Sequence, residues 1–223
     1  MKVLLINGSP HERGNTFQAL NEAAQALVEQ GLETEIVWIG TKPVRGCIAC
    51  GTCATKGDGH CVFNDDLCNE VIDKLNAADG LIVGSPVYYG TPTGNVLNLI
   101  HRMLFAGAQV AGKPAAAVAI CRRGGATAAF QTLQMPFQMV NMPLVTSQYW
   151  NIAYGLAPGE IVQDAEGLQT MRTMARNMAW MISSSQDPPS RQSMNPGRAL
   201  ILSADEYRPR SYGPCHCRLS QEW

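Results

Sequence analysis

The densest chemistry in this sequence is a run of thiols. Cys47, Cys50, Cys53 and Cys61 form the pattern C-x2-C-x2-C-x7-C. Three thiolates at that spacing can face one metal centre, and bacterial ferredoxins open with a similar run. A Cys-x2-Cys knuckle also suits zinc, although structural zinc sites usually pair two knuckles. It equally suits a redox-active dithiol. His60, beside Cys61, is an alternative ligand. Cys68 and Cys121 read as small packing residues, and Cys215-His216-Cys217 sits in a polar tail without further ligands.

Three loops carry a second kind of chemistry. Asn7-Gly8-Ser9-Pro10-His11-Glu12-Arg13-Gly14-Asn15-Thr16 joins an apolar run to a helical pattern. Glycines there turn backbone N–H groups inward, and a helix N-terminus adds partial positive charge. Ser9, Asn15 and Thr16 offer short side-chain donors and Arg13 a charge partner. His11 offers a donor to a phosphate or a cap to the turn. No Gly-Lys-Ser/Thr follows and no Gly-x-Gly-x-x-Gly is present, so neither a nucleoside triphosphate nor a dinucleotide is matched. A single phosphate monoester fits better; the alternative is an ordinary polar turn capped by Asn15 or Thr16. In the second loop, Pro86-Val87-Tyr88-Tyr89-Gly90 sets an aromatic pair beside exposed backbone, which suits a flat heteroaromatic ring. Tyr88 and Tyr89 covering the next helix is the plainer alternative. In the third loop, Arg122-Arg123-Gly124-Gly125 combines positive charge with glycines that allow close backbone approach.

These loops need a frame that brings them together. Five apolar stretches, at residues 3–6, 35–39, 80–83, 115–120 and 144–146, read as strands buried on both faces of a parallel sheet. Between them, 16–30, 65–78, 94–105 and 160–182 show helical periodicity, the second opened by Asp65 and Asp66. Met171, Met174, Met178 and Met181 fall at helical spacing and read as core or subunit interface, and His101 as a surface or packed residue of its helix. This alternation predicts an α/β fold, a doubly wound three-layer sandwich with a five-stranded parallel sheet. The flavodoxin-like order 2-1-3-4-5 fits, with ligands at the carboxyl ends of strands 1, 3 and 4. The three loops occupy those positions. Residues 1–182 form this domain. The tail 183–223, Pro-rich and lysine-free, reads as a disordered or loosely docked extension, with the apolar run 199–202 its only candidate element.

Asn7-Gly8-Ser9-Pro10 with Gly14-Asn15-Thr16, and Ser-Pro-Val-Tyr-Tyr-Gly at 85–90, resemble the NAD(P)H-dependent FMN reductase family of the flavodoxin-like superfamily. The resemblance covers about residues 1–182. It implies that the first loop holds the FMN 5′-phosphate, that 86–90 lies along the isoalloxazine and ribityl groups, and that Gly124 and Gly125 border the pyrimidine end. Arg122 and Arg123 depart from the family, whose members often carry Gly and Ser before the glycine pair. One of the two faces a flavin or nicotinamide phosphate on this reading, and Arg123 is carried as the binding residue. The cysteine motif resembles that of the iron–sulfur flavoproteins, which implies a [4Fe–4S] cluster on Cys47, Cys50, Cys53 and Cys61.

Composition narrows the field further. The 223 residues are 46% hydrophobic and 16% charged, with net charge −1. Nothing here grips nucleic acid or anionic lipid electrostatically. No apolar run approaches the ~18 residues of a membrane span, and the amino end is too short in apolar residues for a signal peptide. The expectation is a cytoplasmic protein. No Ser–His–Asp order or paired-carboxylate signature appears, as befits an enzyme whose cofactor carries the chemistry. The reading is an FMN-dependent oxidoreductase that takes a hydride from NAD(P)H and passes electrons to a small acceptor: a quinone, an azo or nitro compound, a metal ion or free flavin. The alternative is an iron–sulfur flavoprotein that accepts electrons from ferredoxin through the [4Fe–4S] cluster. A third possibility is a flavodoxin-fold binding module without turnover. The family resemblance implies a homodimer or homotetramer.

Overall fold

The computed structural model describes residues 1–185. Five strands, β1 (Lys2–Asn7), β2 (Glu33–Trp38), β3 (Gly80–Pro86), β4 (Ala115–Cys121) and β5 (Ile152–Tyr154), form one parallel sheet in the order 2-1-3-4-5. The helices are α1 (Asn15–Glu29), α2 (Thr52–Lys56), α3 (Cys68–Ala77), α4 (Gly94–Ala106), α5 (Ala126–Met139) and α6 (Ala165–Ser184). The predicted architecture is therefore present.

Both sheet faces are buried, and strand alternation divides their residues between two cores. Val3, Leu5, Ile82, Ala116 and Val118 pack under α1 and α6. Leu4, Ile6, Leu81, Val83, Ala117 and Ala119 pack under α3, α4 and α5. Cys68, Met171, Met174 and Met178 are fully buried, as their spacing predicts.

The fifth strand is a correction. Residues 144–146 make only a bridge from Leu144 to Ala115, with the Val145 N–H donating to the Ala115 carbonyl at 2.8 Å. The chain then makes a polar excursion stapled by Ser147 and the buried Asn151. It rejoins the sheet where the Ala119 N–H donates to the Asn151 carbonyl, and β5 follows.

The helix at 160–182 is also two elements. A 3-10 turn (Glu160–Gln163) precedes α6, and Asp164 caps α6 by accepting from the Gly167 N–H at 2.9 Å. The helix expected from 65 starts at Cys68, because the Asp66 carboxylate sits ahead of it and accepts the Cys68 N–H. Helices α2 and α5 lacked a clear periodic signal; α5 even contains Pro136. The tail from 186 onward, including Cys215-His216-Cys217 and 199–202, lies outside the described residues. Among the described residues no helix is long and apolar enough to cross a membrane.

Candidate functional site

The carboxyl ends of β1, β3, β4 and β5 open onto one pocket of about 250 Å³. Ser9, His11, Gly14, Asn15 and Thr16 form one end, and Pro86, Val87 and Tyr88 form a side wall. Ile120, Arg122, Gly155, Leu156 and Pro158 complete it. Arg122 and His11 bring positive or protonatable groups, and no carboxylate is among these lining residues. The pocket is thus suited to an anion with an apolar body.

The first loop is wound on itself. Ser9 N–H donates to Asn7 Oδ1 at 3.1 Å, and His11 N–H donates to Ser9 Oγ at 3.1 Å, so two short side chains replace backbone partners. Trp38 Nε1 holds the Ser9 carbonyl at 2.8 Å. The Ser9 hydroxyl accepts here and keeps its proton to donate. At the start of α1 the N–H groups of Asn15, Thr16 and Phe17 have no partner within the helix, and the first turn holds no acidic residue.

Some predicted donors have other work. The Asn15 side chain donates to the Ala157 carbonyl at 2.9 Å and accepts from the Gly159 and Ile161 N–H groups at 3.0 and 3.4 Å. It ties the loop after β5 to the start of α1 and offers a ligand only its backbone. Arg13 is exposed and lies over the Phe17 ring.

The loop after β3 is pinched. Tyr88 and Thr91 exchange two backbone hydrogen bonds at 2.8 and 3.0 Å, and Tyr89 and Gly90 both have positive φ, 52° and 80°. That is a two-residue turn of the I′ kind. It aims Tyr88 along the pocket wall and leaves Tyr89 fully exposed.

After β4, the Cys121 thiol donates to the Gly124 carbonyl at 2.9 Å and accepts the Arg123 N–H at 3.2 Å. The buried cysteine closes this turn. The closed turn sets Arg122 on the pocket and leaves Arg123, the residue carried as the binding one, outside its lining. Gly125 has φ 85° at the N-cap of α5.

Leu156 and Pro158 were missed because β5 was misplaced. The turn-rich run Tyr154-Gly155-Leu156-Ala157-Pro158-Gly159 was the available signal. Glu160 holds this loop, accepting the Ala157 and Leu156 N–H groups at 2.7 Å each, and those bonds keep its carboxyl below the usual range.

Cys47, Cys50, Cys53 and Cys61 line a separate small pocket of about 20 Å³, walled by Ile48, Val62, Phe63 and Phe105. Each thiol has its own partner. Cys47 accepts from the Ala49 N–H at 3.4 Å, Cys53 points to the Phe105 carbonyl at 3.9 Å, and Cys61 accepts from Arg102 Nε at 3.3 Å. Cys50 is exposed, and hydrogen bonds from the Thr52 hydroxyl and then its N–H lower its pKa. Burial pushes the Cys68 thiol up to about 12. His60 pairs with Asp73 at 2.8 Å rather than turning to the thiols. All six cysteines among the described residues are free. No three His, Cys, Asp or Glu among those residues converge closely enough to hold a metal ion. The 20 Å³ pocket is the size of one water, so seating a cluster there requires the cysteine segment to open.

One face of α4 clamps this segment. Asn95 accepts the Val44 N–H and donates to the Lys42 carbonyl, Asn98 donates to the Val44 carbonyl, and Arg102 reaches Arg45, Phe63 and Asp66. The sequence reading assigned this face no role. The polar residues at i, i+3 and i+7 were the overlooked signal.

The family model described as NADPH-dependent FMN reductase matches residues 1–157. The chain belongs to that family. An iron–sulfur flavoprotein of Methanocaldococcus jannaschii is 36% identical over 191 residues, covering 82% of this chain and 97% of the relative. One of Methanosarcina thermophila is 30% identical over 185 residues, 80% of this chain and 93% of the relative. Among solved structures, RosB with bound 8-demethyl-8-formylriboflavin-5'-phosphate superposes with TM-score 0.63 at 16% identity, covering 100% of this chain and 98% of that one. A flavodoxin from the domain Archaea gives 0.56 at 14% identity, 82% and 98% covered. At these identities the structures speak for the fold alone.

Family membership makes the chain an FMN-dependent oxidoreductase, and the first pocket fits that cofactor. It offers free helix N–H groups and the Ser9 proton at one end, a Tyr88 wall, and no opposing carboxylate among the described lining residues.

Proposed function

We propose that this chain is an FMN oxidoreductase whose Cys47, Cys50, Cys53 and Cys61 hold an iron–sulfur cluster, linking one-electron carriers to the flavin. The observation that carries this reading is that all four thiols line one pocket, with the Arg102 guanidinium on Cys61. Three of the sulfurs already take part in hydrogen bonds of the kind that tune such clusters. The relatives named iron–sulfur flavoproteins support it. When bound, FMN supplies one- and two-electron chemistry and an iron–sulfur cluster supplies one-electron chemistry. The protein's part is positional. Ser9, Thr16 and the α1 N–H groups bind the phosphate, Val87 and Tyr88 orient the ring, and Arg122 supplies positive potential. Ferredoxin is the electron donor on this reading.

A second reading takes NAD(P)H as donor and a small molecule as acceptor. It is supported by the family description and by Arg122 on the pocket with Arg123 exposed beside it. The exposed Tyr149, Trp150, Tyr154 and Leu156 around the β5 end support a homo-oligomer in which a second subunit covers this face. The same reading takes the protein to be cytoplasmic.

Anaerobic purification with iron and sulfide analysis and a visible spectrum tests the proposal. Flavin bands overlaid by a broad iron–sulfur shoulder are expected. Flavin bands alone, with NADH or NADPH oxidation, overturn the first reading for the second. Thr16→Val should weaken FMN retention severalfold in either.

A further inference from the structure

Cys121 ends β4 and is 3% exposed, a position that suits a packing residue. Its polar atoms do something else. The Cys121 carbonyl is taken by the Gly155 N–H, just past β5, at 3.1 Å. Among the described residues no backbone hydrogen bond closes 121–124. The thiol closes it instead, donating to the Gly124 carbonyl at 2.9 Å and accepting the Arg123 N–H at 3.2 Å. One residue upstream, the Ile120 carbonyl accepts the Val87 N–H at 2.9 Å from the loop after β3. The turn that carries Arg122 is therefore tied to both neighbouring loops of the pocket, and its own shape is set by one sulfur.

Packing alone does not account for this arrangement. Alanine or valine would fill a buried position as well, and neither bond to the thiol is needed for solvation. Arg123 and Gly124 are exposed, so water can reach their backbone groups. Water cannot supply a fixed direction. A donor and an acceptor on one short, buried side chain hold the turn closed at two points. Arg122 stands inside that turn, and its side chain lines the pocket while Arg123 lies outside the lining. Arginine has much rotamer freedom to lose on meeting an anion, and a fixed backbone beneath it reduces that loss.

We infer that Cys121 is the positioning residue for Arg122: its thiol closes the 121–124 turn so that Arg122, and not Arg123, meets the anionic cofactor of the pocket. Cys121 itself lies outside the pocket lining and acts only through the backbone of its turn. This rests on the reading that Arg122 supplies positive potential to the FMN site.

The test dilutes the FMN-loaded full chain at low and at high salt and reads Kd from the fluorescence of released flavin. The variants are Arg122→Gln, Cys121→Ala, Cys121→Ser and the double variant Cys121→Ala with Arg122→Gln. Circular dichroism reports folding. Arg122→Gln should weaken FMN binding about two- to fivefold at low salt and flatten its salt dependence. Cys121→Ala should do the same although the arginine is still present. The double variant should bind no more weakly than Arg122→Gln alone. Cys121→Ser should restore most of the wild-type affinity, because a hydroxyl can make both bonds. A packing role predicts the reverse order, since a buried hydroxyl suits an apolar site less well than alanine does. Wild-type affinity in Cys121→Ala, additive losses in the double variant, or Cys121→Ser no better than Cys121→Ala would each overturn the proposal. If Cys121→Ala does not fold, Cys121→Val, which fills the space without either bond, takes its place in every comparison. Wild-type affinity and salt dependence in Arg122→Gln overturn the Arg122 reading itself.

Discussion

Gly125 and Gly90 meet backbone to backbone: a Cβ on Gly125 would lie 2.9 Å from the Cα of Gly90 and 3.3 Å from Val87 Cγ1. The loops after β4 and β3 are thereby locked at one point beside the pocket. Gly125→Ala adds this clash to the strain of φ 85°. It should cost roughly 1–3 kcal/mol of unfolding free energy and weaken FMN binding. Gly124, with nothing within 4 Å of its Cβ position, should tolerate alanine within about 0.5 kcal/mol. Paired urea melts and FMN titrations check both, and equal effects at the two positions would refute the lock.

Asn15→Ala removes one donor and one shared acceptor that reach 142 to 146 residues along the chain. Its expected cost is about 1–3 kcal/mol. Hydrogen exchange locates the effect, which should be lost protection of the Gly159 and Ile161 amides while β1 stays protected. Unchanged exchange at those amides counts against Asn15 as the tie.

Thiol reactivity should follow environment. With no metal bound, Cys50 should be alkylated faster than Cys68 at neutral pH, because the thiolate is the nucleophile. Thr52 favours the Cys50 thiolate and burial disfavours that of Cys68. Peptide mass spectrometry after iodoacetamide treatment reads the order. The same burial has a pH consequence. Unfolded Cys68 ionises near ~8.5, whereas the folded thiol stays neutral up to about 12. Its contribution is full below the unfolded value and is lost as pH rises towards the folded one. Cys68→Ala should lower stability overall yet flatten the decline across that window.

Tyr89 occupies the first central position of a turn that favours Asn or Gly, with its side chain fully exposed. Tyr89→Asn should therefore stabilise the fold by about 1 kcal/mol, from relief of left-handed strain. A thermal melt checks it, and a lower melting temperature would show that the ring makes a contact worth more than the strain.

The end of the pocket built by the first loop was legible because its signal is local. Ser9, Gly14 and Thr16 lie within one loop, and a strand followed by a helix already fixes where that loop points. The fifth strand was not. Residues 144–146 are as apolar as 152–154, and the choice between them rests on Ala119 bonding to the Asn151 carbonyl. Arg102 was hidden for a related reason. A charged residue on a helix reads as surface until another segment covers it, and the covering segment lies 36 to 57 residues away.

Alternating periods of apolar residues determined the sheet and its order, since burying both faces of a strand leaves few arrangements for such a pattern. Local loop chemistry marked the strand ends that open onto the pocket. The tertiary structure alone decided that Asn15 serves the fold, that Arg122 rather than Arg123 lines the pocket, and that one guanidinium gathers the cysteine segment. Those roles depend on hydrogen bonds between residues distant in the chain, whose partners come within reach only once the cores on either side of the sheet have closed.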